Sequence, residues 1–85
     1  MGTFVHFYFM KRDVEGIAET IPEHVDYWRS LELINYKGGP FADRSGGLIV
    51  FDAVGLESAQ KIIGNDPFMT KDLIETGCVK EWKPE

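Results

Sequence analysis

Two residues that lie far apart in the chain, His24 and Asp66, could together carry out proton transfer. An imidazole takes up and returns a proton near neutral pH. A carboxylate bonded to one ring nitrogen fixes the tautomer and stabilises the imidazolium that forms when the other nitrogen is protonated. Each residue also has a purely structural explanation, since a helix histidine can cap a backbone carbonyl and an Asp before Pro67 is a good helix N-cap. The catalytic interpretation therefore requires a fold that brings the two side chains together.

Two polar residues in the apolar run at residues 4–10 could contact an aromatic ligand. His6 and Tyr8 are two positions apart, so in a strand they share one face, together with Phe4 and Met10. A flat phenolic ring needs apolar walls and a few hydrogen bonds, and either residue could bond a ring hydroxyl if this face lines a cleft. The alternative is that both are core or interface residues.

Three further candidates lie in predicted turns. Arg44 and Ser45 belong to an Asp-Arg-Ser-Gly stretch between two strand-like segments, where an arginine could hold a phenolate or a leaving chloride. A solvated turn is the simpler interpretation of both. Asn65 precedes Asp66, beside a helix start whose backbone N–H groups favour an anion, and it could play the same part.

Composition limits the class of protein. A chain of 85 residues makes one domain, residues 1–85, and 44% apolar residues are typical of a globular fold. The net charge of −5 and the scattered basic residues argue against nucleic acid as a partner. With one cysteine, Cys78, and no Cys/His cluster at zinc spacing, we expect neither a disulfide nor a metal site.

The N-terminal segment does not have the pattern of a signal peptide. Its apolar run is only about seven residues long, too short to span a bilayer. Lys11 and Arg12 follow the run instead of preceding it, which is the opposite of the order in a signal peptide. We therefore expect a soluble cytoplasmic protein that does not contact a membrane.

Hydrophobic periodicity and turn residues predict the order β-α-β-β-α-β, with a short extra helix before the last strand. The first helix is predicted to begin at Pro22, with His24 at the edge of its aromatic face and Arg29 on its polar face. The Gly38-Gly39 pair is predicted to stop this helix. The predicted ranges are a strand at 4–10, a helix at 22–35, strands at 36–42 and 47–53, a helix at 56–64, a short helix at 67–74 and a strand at 78–83.

This order predicts the ferredoxin-like split β-α-β arrangement, an α+β fold with a four-stranded antiparallel sheet and both long helices on one face. The start of the first helix and the loop after the second then lie near the same end of the sheet, so His24 and Asp66 could meet. The first strand is apolar on both faces, which requires a cover for the face without helices. We expect a homodimer, packed sheet to sheet, to supply that cover.

Several motifs are spread in order over nearly the whole chain. They are His24, Gly38-Gly39-Pro40-Phe41, Gly46-Gly47-Leu48-Ile49-Val50-Phe51, Ala59, Asp66-Pro67-Phe68 and Val79-Lys80-Glu81-Trp82. Their arrangement resembles the YCII-related family, and the His plus Asp-Pro pair is the most specific part of the resemblance. The resemblance implies a dimeric α+β barrel of ferredoxin-like subunits in which His24 and Asp66 form a His-Asp dyad in a cleft, with no cofactor.

Within that family, the chain is similar to a lyase that removes HCl from a chlorinated hydroxyhydroquinone in bacterial degradation of chloroaromatic compounds. The resemblance implies that His24 moves the protons of this elimination and that Asp66 orients it. Two alternatives stay open. The same dyad could serve a proton-transfer isomerase of a lactone or another catabolic ring intermediate, or the chain could be a dimeric small-ligand-binding module with a structural His-Asp pair.

Overall fold

The computed structural model describes all 85 residues, and it contains four strands and three helices. None of the helices has the length and apolar character needed to cross a membrane. In chain order the elements are β1 (Gly2–Met10), α1 (Val14–Ser30), β2 (Lys37–Pro40), β3 (Gly46–Ala53), α2 (Leu56–Gly64), α3 (Pro67–Thr70) and β4 (Ile74–Trp82).

The strands form one antiparallel sheet in the order β2-β3-β1-β4. In the centre of the sheet, β1 pairs along its length with β3 on one side and with β4 on the other. Trp28 of α1 packs against Phe51 of β3, and Phe68 of α3 packs against Tyr8 of β1, so these helices cover the same sheet face. This arrangement confirms the predicted ferredoxin-like α+β fold.

The first helix begins at Val14, well before the predicted start at Pro22. Asp13 is the true N-cap, because its side chain accepts a hydrogen bond of 3.0 Å from the backbone N–H of Gly16. The prediction was wrong because it treated Pro22 as a first-turn residue, whereas this proline lies inside the helix. The helix stops at Ser30, since Glu32 adopts the left-handed backbone conformation, with a φ of 49°.

Three other predicted boundaries were also wrong. β2 is only four residues long, and the glycine pair predicted to stop the first helix lies inside it. α3 ends at Thr70 instead of continuing to residue 74. Asp72 then takes a φ of 57°, which turns the chain, and β4 begins at Ile74 rather than at residue 78. β2 is therefore shorter and β4 longer than predicted, and the element order is unchanged.

The core lies between the sheet and the helices. Alternate residues of β1 and β3 point towards the helices and are buried there, as the period of two in a strand requires. Trp28 joins the layers, because its ring contacts Phe51 below it and stacks on Tyr36 at a centroid distance of 6.0 Å. The buried apolar residues are Phe4, Tyr8, Trp28, Ile49, Phe51, Ala53, Ala59, Ile63, Phe68 and Leu73.

The opposite sheet face carries apolar side chains with no cover in the single chain. Phe7 and Phe9 of β1 and Leu48 of β3 lie on this open sheet face, and their exposed fractions are 36%, 43% and 38%. Phe9 also packs against Phe41, with the ring centroids 5.8 Å apart. A contiguous apolar patch on one face of a sheet is typical of an interaction surface.

Candidate active site

His24 and Asp66 meet where α1 passes the start of α3. Nδ1 of His24 lies 2.8 Å from Oδ1 and 2.9 Å from Oδ2 of Asp66. Since carboxylate oxygens only accept hydrogen bonds, we assign the proton to Nδ1. This tautomer leaves the lone pair of the ring on Nε2, the nitrogen that points away from Asp66.

Asp66 is fully buried and accepts hydrogen bonds from two further donors. The indole Nε1–H of Trp28 donates to Oδ2 at 2.9 Å, and the backbone N–H of Phe68 donates to Oδ1 at 2.9 Å. The second of these bonds is the N-cap of α3. Three donors and no competing acceptor are the surroundings that a carboxylate requires. The residue is therefore both a helix cap and the partner of His24.

The imidazole of His24 is fixed on its faces as well as at Nδ1. Its ring stacks on that of Phe68, with centroids 4.0 Å apart and an angle of 12° between the planes. Tyr8 approaches it edge-on at a centroid distance of 6.4 Å. His24 retains 14% side-chain exposure, and its Nε2 has no hydrogen-bond partner in the chain. The ring is thus held in place while one basic nitrogen remains accessible.

His24 lines a cleft of about 380 Å³ between α1, β2 and the turn before β3. This volume falls within the range of small-molecule pockets, roughly 300 to 1,000 Å³. Both apolar walls and polar side chains surround it. The lining residues are Tyr8, Met10, Ile17, Ile21, His24, Val25, Arg29, Tyr36, Gly38, Gly39, Pro40, Arg44, Gly46 and Phe68.

Two of the five predicted ligand contacts share this cleft with His24, namely Tyr8 and Arg44. Ser45 does not line it, and its hydroxyl instead donates a hydrogen bond of 2.7 Å to the carboxylate of Asp43. Asn65 does not line it either, and its amide donates a hydrogen bond of 3.2 Å to the carbonyl of Lys61. Both of these residues are exposed to solvent.

The remaining predicted contact, His6, lines a separate cavity of about 390 Å³ between α2, the end of α3 and β4. Its side chain is 3% exposed, and its ring stacks on Tyr8 at a centroid distance of 5.0 Å. Nδ1 lies 3.3 Å from the carbonyl oxygen of Cys78, whereas Nε2 is buried without a partner. Burial lowers the pKa of His6, so the ring is kept in its neutral form.

Three residues of the site were not predicted from the sequence to belong to it. Trp28 belongs to the hydrophobic core, and its indole N–H also donates a hydrogen bond to Asp66. Arg29 was placed on the polar face of the first helix, yet it lines the cleft, and so does Tyr36. The one available signal was the position of Trp28, four residues after His24, which puts both side chains on the same side of the helix.

The electrostatics of the site keep its phenols protonated. Burial raises the pKa of Tyr8, and the charge of Asp66 raises it further. Burial also raises the pKa of Tyr36, while the nearby guanidinium of Arg29 acts in the opposite direction. Tyr8 and Tyr36 can therefore donate hydrogen bonds to a ligand in the cleft.

The side chains in and around the cleft do not form a metal-binding set. Nowhere in the chain do three or more His, Cys, Asp or Glu side chains converge in a way that could hold a metal ion. The polar groups available to a ligand in the cleft are an imidazole nitrogen, two guanidinium groups and two phenols. Such groups can move protons and bind oxygen atoms or anions.

Comparison with known proteins identifies the family of the chain. The profile of the YCII-related domain matches residues 1–83, almost the whole chain. The chain belongs to the YCII-related family. None of the curated protein sequences matches it. This match confirms the resemblance that the motifs of the sequence indicated.

Solved structures with this fold include a 5-chloro-2-hydroxyhydroquinone dehydrochlorinase (TftG) from Burkholderia phenoliruptrix AC1100, in complex with 2,5-dihydroxybenzoquinone. It superposes with a TM-score of 0.84 at 21% sequence identity, over 95% of this chain and 93% of that one. Protein Atu4242 from Agrobacterium tumefaciens superposes with a TM-score of 0.57 at 16% identity, over 100% of this chain and 94% of that one. At these identities the likeness establishes the shared fold.

Proposed function

We propose that this YCII-related protein is a cofactor-independent lyase that eliminates HCl from a chlorinated hydroxyhydroquinone to give a hydroxyquinone. The observation that carries the proposal is the His24–Asp66 pair, in which a buried carboxylate fixes Nδ1 and leaves Nε2 accessible at a cleft. Nε2 is the general base, and Asp66 holds the ring and stabilises the imidazolium formed during proton transfer.

The proposed reaction needs only proton transfers. Chloride does not leave readily from an aromatic carbon, but moving a hydroxyl proton to the carbon that bears chlorine gives a ring ketone with chlorine on a tetrahedral carbon. Loss of a second hydroxyl proton, with departure of chloride, then forms the quinone. The sum is loss of HCl, in which the ring is oxidised as the carbon–chlorine bond is reduced. One base that takes up and returns protons, such as His24, can serve both steps.

The cleft offers suitable contacts for such a ring. Tyr8 and Tyr36 supply phenolic hydroxyls, and the proposal assigns Arg44 to a ring oxygen or to the leaving chloride. Ile17, Ile21 and Phe68 supply apolar walls. His6, Ser45 and Asn65 were predicted to contact the same ligand, but they lie outside the cleft and receive no such role.

One of the two structural neighbours, TftG, supports the choice of reaction. TftG shares the fold and was crystallised with 2,5-dihydroxybenzoquinone, a hydroxylated quinone ring. A product of that kind is what the elimination proposed here would release. The resemblance to TftG, together with a base beside a ring-sized cleft, favours dehydrochlorination over the other proton-transfer reactions that one histidine could catalyse.

The proposal is tested by measuring chloride release from chlorohydroxyhydroquinone under anaerobic conditions, which prevent autoxidation. Wild-type protein should release chloride at a rate far above background, and His24→Ala should reduce the rate by roughly two to four orders of magnitude, the usual contribution of a general base. Chloride release by both proteins at the background rate would reject this substrate. Isomerisation of a ring substrate without release of halide would then identify an isomerase, whereas ligand binding without turnover would identify a binding module.

We also propose that the protein acts as a homodimer packed through its open sheet face. Phe7, Phe9 and Leu48 are exposed there in the single chain, while the helices cover only the other face. A second copy can present the same apolar surface in return, as two-fold symmetry requires. The resemblance to a family of dimeric barrels supports this choice of partner.

A further inference from the structure

The charged side chains that line the cleft are positive, although the whole protein carries a net negative charge. The chain has a net charge of −5 and only three arginines, Arg12, Arg29 and Arg44. Two of the three, Arg29 and Arg44, line the cleft, and no Asp or Glu lines it. Asp66, the nearest acid of the site, is fully buried behind His24 and already accepts three hydrogen bonds. The surface that faces a ligand therefore carries positive charge.

Neither of these arginines is neutralised within the chain. Every carboxylate ion pair in the structure uses a lysine or His24, and neither Arg29 nor Arg44 lies within 4.0 Å of an acidic oxygen. Asp43 is adjacent to Arg44 in sequence, but its carboxylate is turned to the backbone N–H and hydroxyl of Ser45. Unpaired guanidinium groups remain available for an external anion, which they can bind through paired N–H groups.

We propose that Arg29 and Arg44 form an anion-recognition site that makes the cleft select ring ligands in their anionic form, as phenolates or enolates. Arg44 comes from the turn between β2 and β3 and Arg29 from the last turn of α1, so two separate elements contribute positive charge to the lining of the cleft. This inference rests on the proposed function for the location of the ligand, and it adds the charge of the substrate and a binding role for Arg29.

An anionic substrate also fits the proton chemistry of the dyad. A hydroxyl that is bound as its anion has already released one proton, so His24 has fewer protons to remove during the elimination. At physiological salt, repulsion between an anionic ligand and acidic groups more than about 8 Å away is largely screened. The guanidinium groups that line the cleft therefore dominate the electrostatic interaction with the ligand. Charge-assisted hydrogen bonds to an anion are roughly twice as strong as hydrogen bonds between neutral groups.

The test is a binding titration that does not depend on turnover. The probe is 2,5-dihydroxybenzoquinone, whose acidic hydroxyls are ionised at neutral pH, and the neutral comparison is hydroquinone. Affinity for the anion should fall roughly ten- to hundredfold in Arg29→Gln and in Arg44→Gln. Lysine at either position should restore part of the loss. Arg12→Gln, which removes the same charge outside the cleft, is the matched control and should change affinity less than about twofold.

Two results would overturn the inference. One is equal affinity for the ionised quinone and for hydroquinone in wild-type protein, including the absence of binding by either. The other is an equal loss of affinity in all three arginine variants, which would mean that net charge alone matters. Because binding is read without chloride release, failure of the lyase activity would leave this result interpretable. Conversely, either of these two results beside normal chloride release by the wild-type protein would remove the anion site but retain the lyase.

Discussion

The three hydrogen bonds to Asp66 lead to a specific prediction about stability. Asp66→Asn keeps the size of the side chain but replaces one acceptor oxygen by an NH₂ donor. If the amide oxygen takes the place of Oδ1, the NH₂ group faces the indole N–H of Trp28; if it takes the place of Oδ2, the NH₂ group faces the backbone N–H of Phe68. Either orientation sets two donors against each other in a fully buried site.

The magnitude follows from the donors left unpaired. One buried unsatisfied donor costs about 1 to 3 kcal/mol, and the remaining bonds lose their charge-assisted strength. We therefore expect Asp66→Asn to lower the free energy of unfolding by about 2 to 4 kcal/mol. Trp28→Phe removes the indole donor, so in that background the amide can point its NH₂ group at the phenyl ring and keep its oxygen for Phe68. The double variant should therefore be more stable than the sum of the single effects by about 1 to 2 kcal/mol.

The assay is urea unfolding followed by far-UV circular dichroism, since fluorescence would be altered by loss of Trp28. All four proteins of the cycle are compared at one concentration, because a dimer makes stability depend on concentration. The volume lost in Trp28→Phe cancels in the cycle. Effects that add within about 0.5 kcal/mol would refute the reasoning, because they would show that Trp28 and Asp66 do not interact energetically.

Two further predictions concern the second histidine and the open sheet face. The pKa of buried His6 is lowered from its ordinary value of 6.5, so below that pH the unfolded chain binds a proton that the folded chain does not, and stability is lost as pH falls. His6→Asn should weaken this loss by up to about 1.4 kcal/mol per pH unit, and identical pH profiles of unfolding free energy would contradict it. Light scattering should show a dimer for the wild-type protein and a monomer for Phe9→Lys. The control Val14→Lys, at an exposed position on α1, should remain a dimer. A dimeric Phe9→Lys protein would reject the open sheet face as the interface.

The sequence was sufficient to predict the fold because its apolar periods change where the elements change. The run at residues 4–10 has no helical period and indicates a strand, whereas the stretch that contains Ile62 and Ile63 has a helical period and indicates a helix. The same distinction along the chain gives the order of the elements. The helix start was not predictable by the same means. Pro22 carries a first-turn preference, and only the folded chain shows that the capping bond comes from Asp13.

The site was only partly predictable because its parts are distant in sequence. His24 and Asp66 could be chosen as a pair since their residue types suit one task, but the contact depends on where α3 sits against α1. The 3.6-residue period assigned Arg29 to solvent, and that side chain is indeed exposed, yet the period does not reveal that a cleft opens beside it. His6 and Tyr8 share a strand face, but their rings line different cavities.

The most direct test of the account is the specificity constant for chloride release in wild-type protein, His24→Ala, Asp66→Asn and the double variant. Because the carboxylate is proposed to act only through the imidazole, each single change should lower the constant, and the double variant should be little worse than His24→Ala. Losses that multiply in the double variant would contradict a coupled dyad, and so would an Asp66→Asn protein that is folded and fully active.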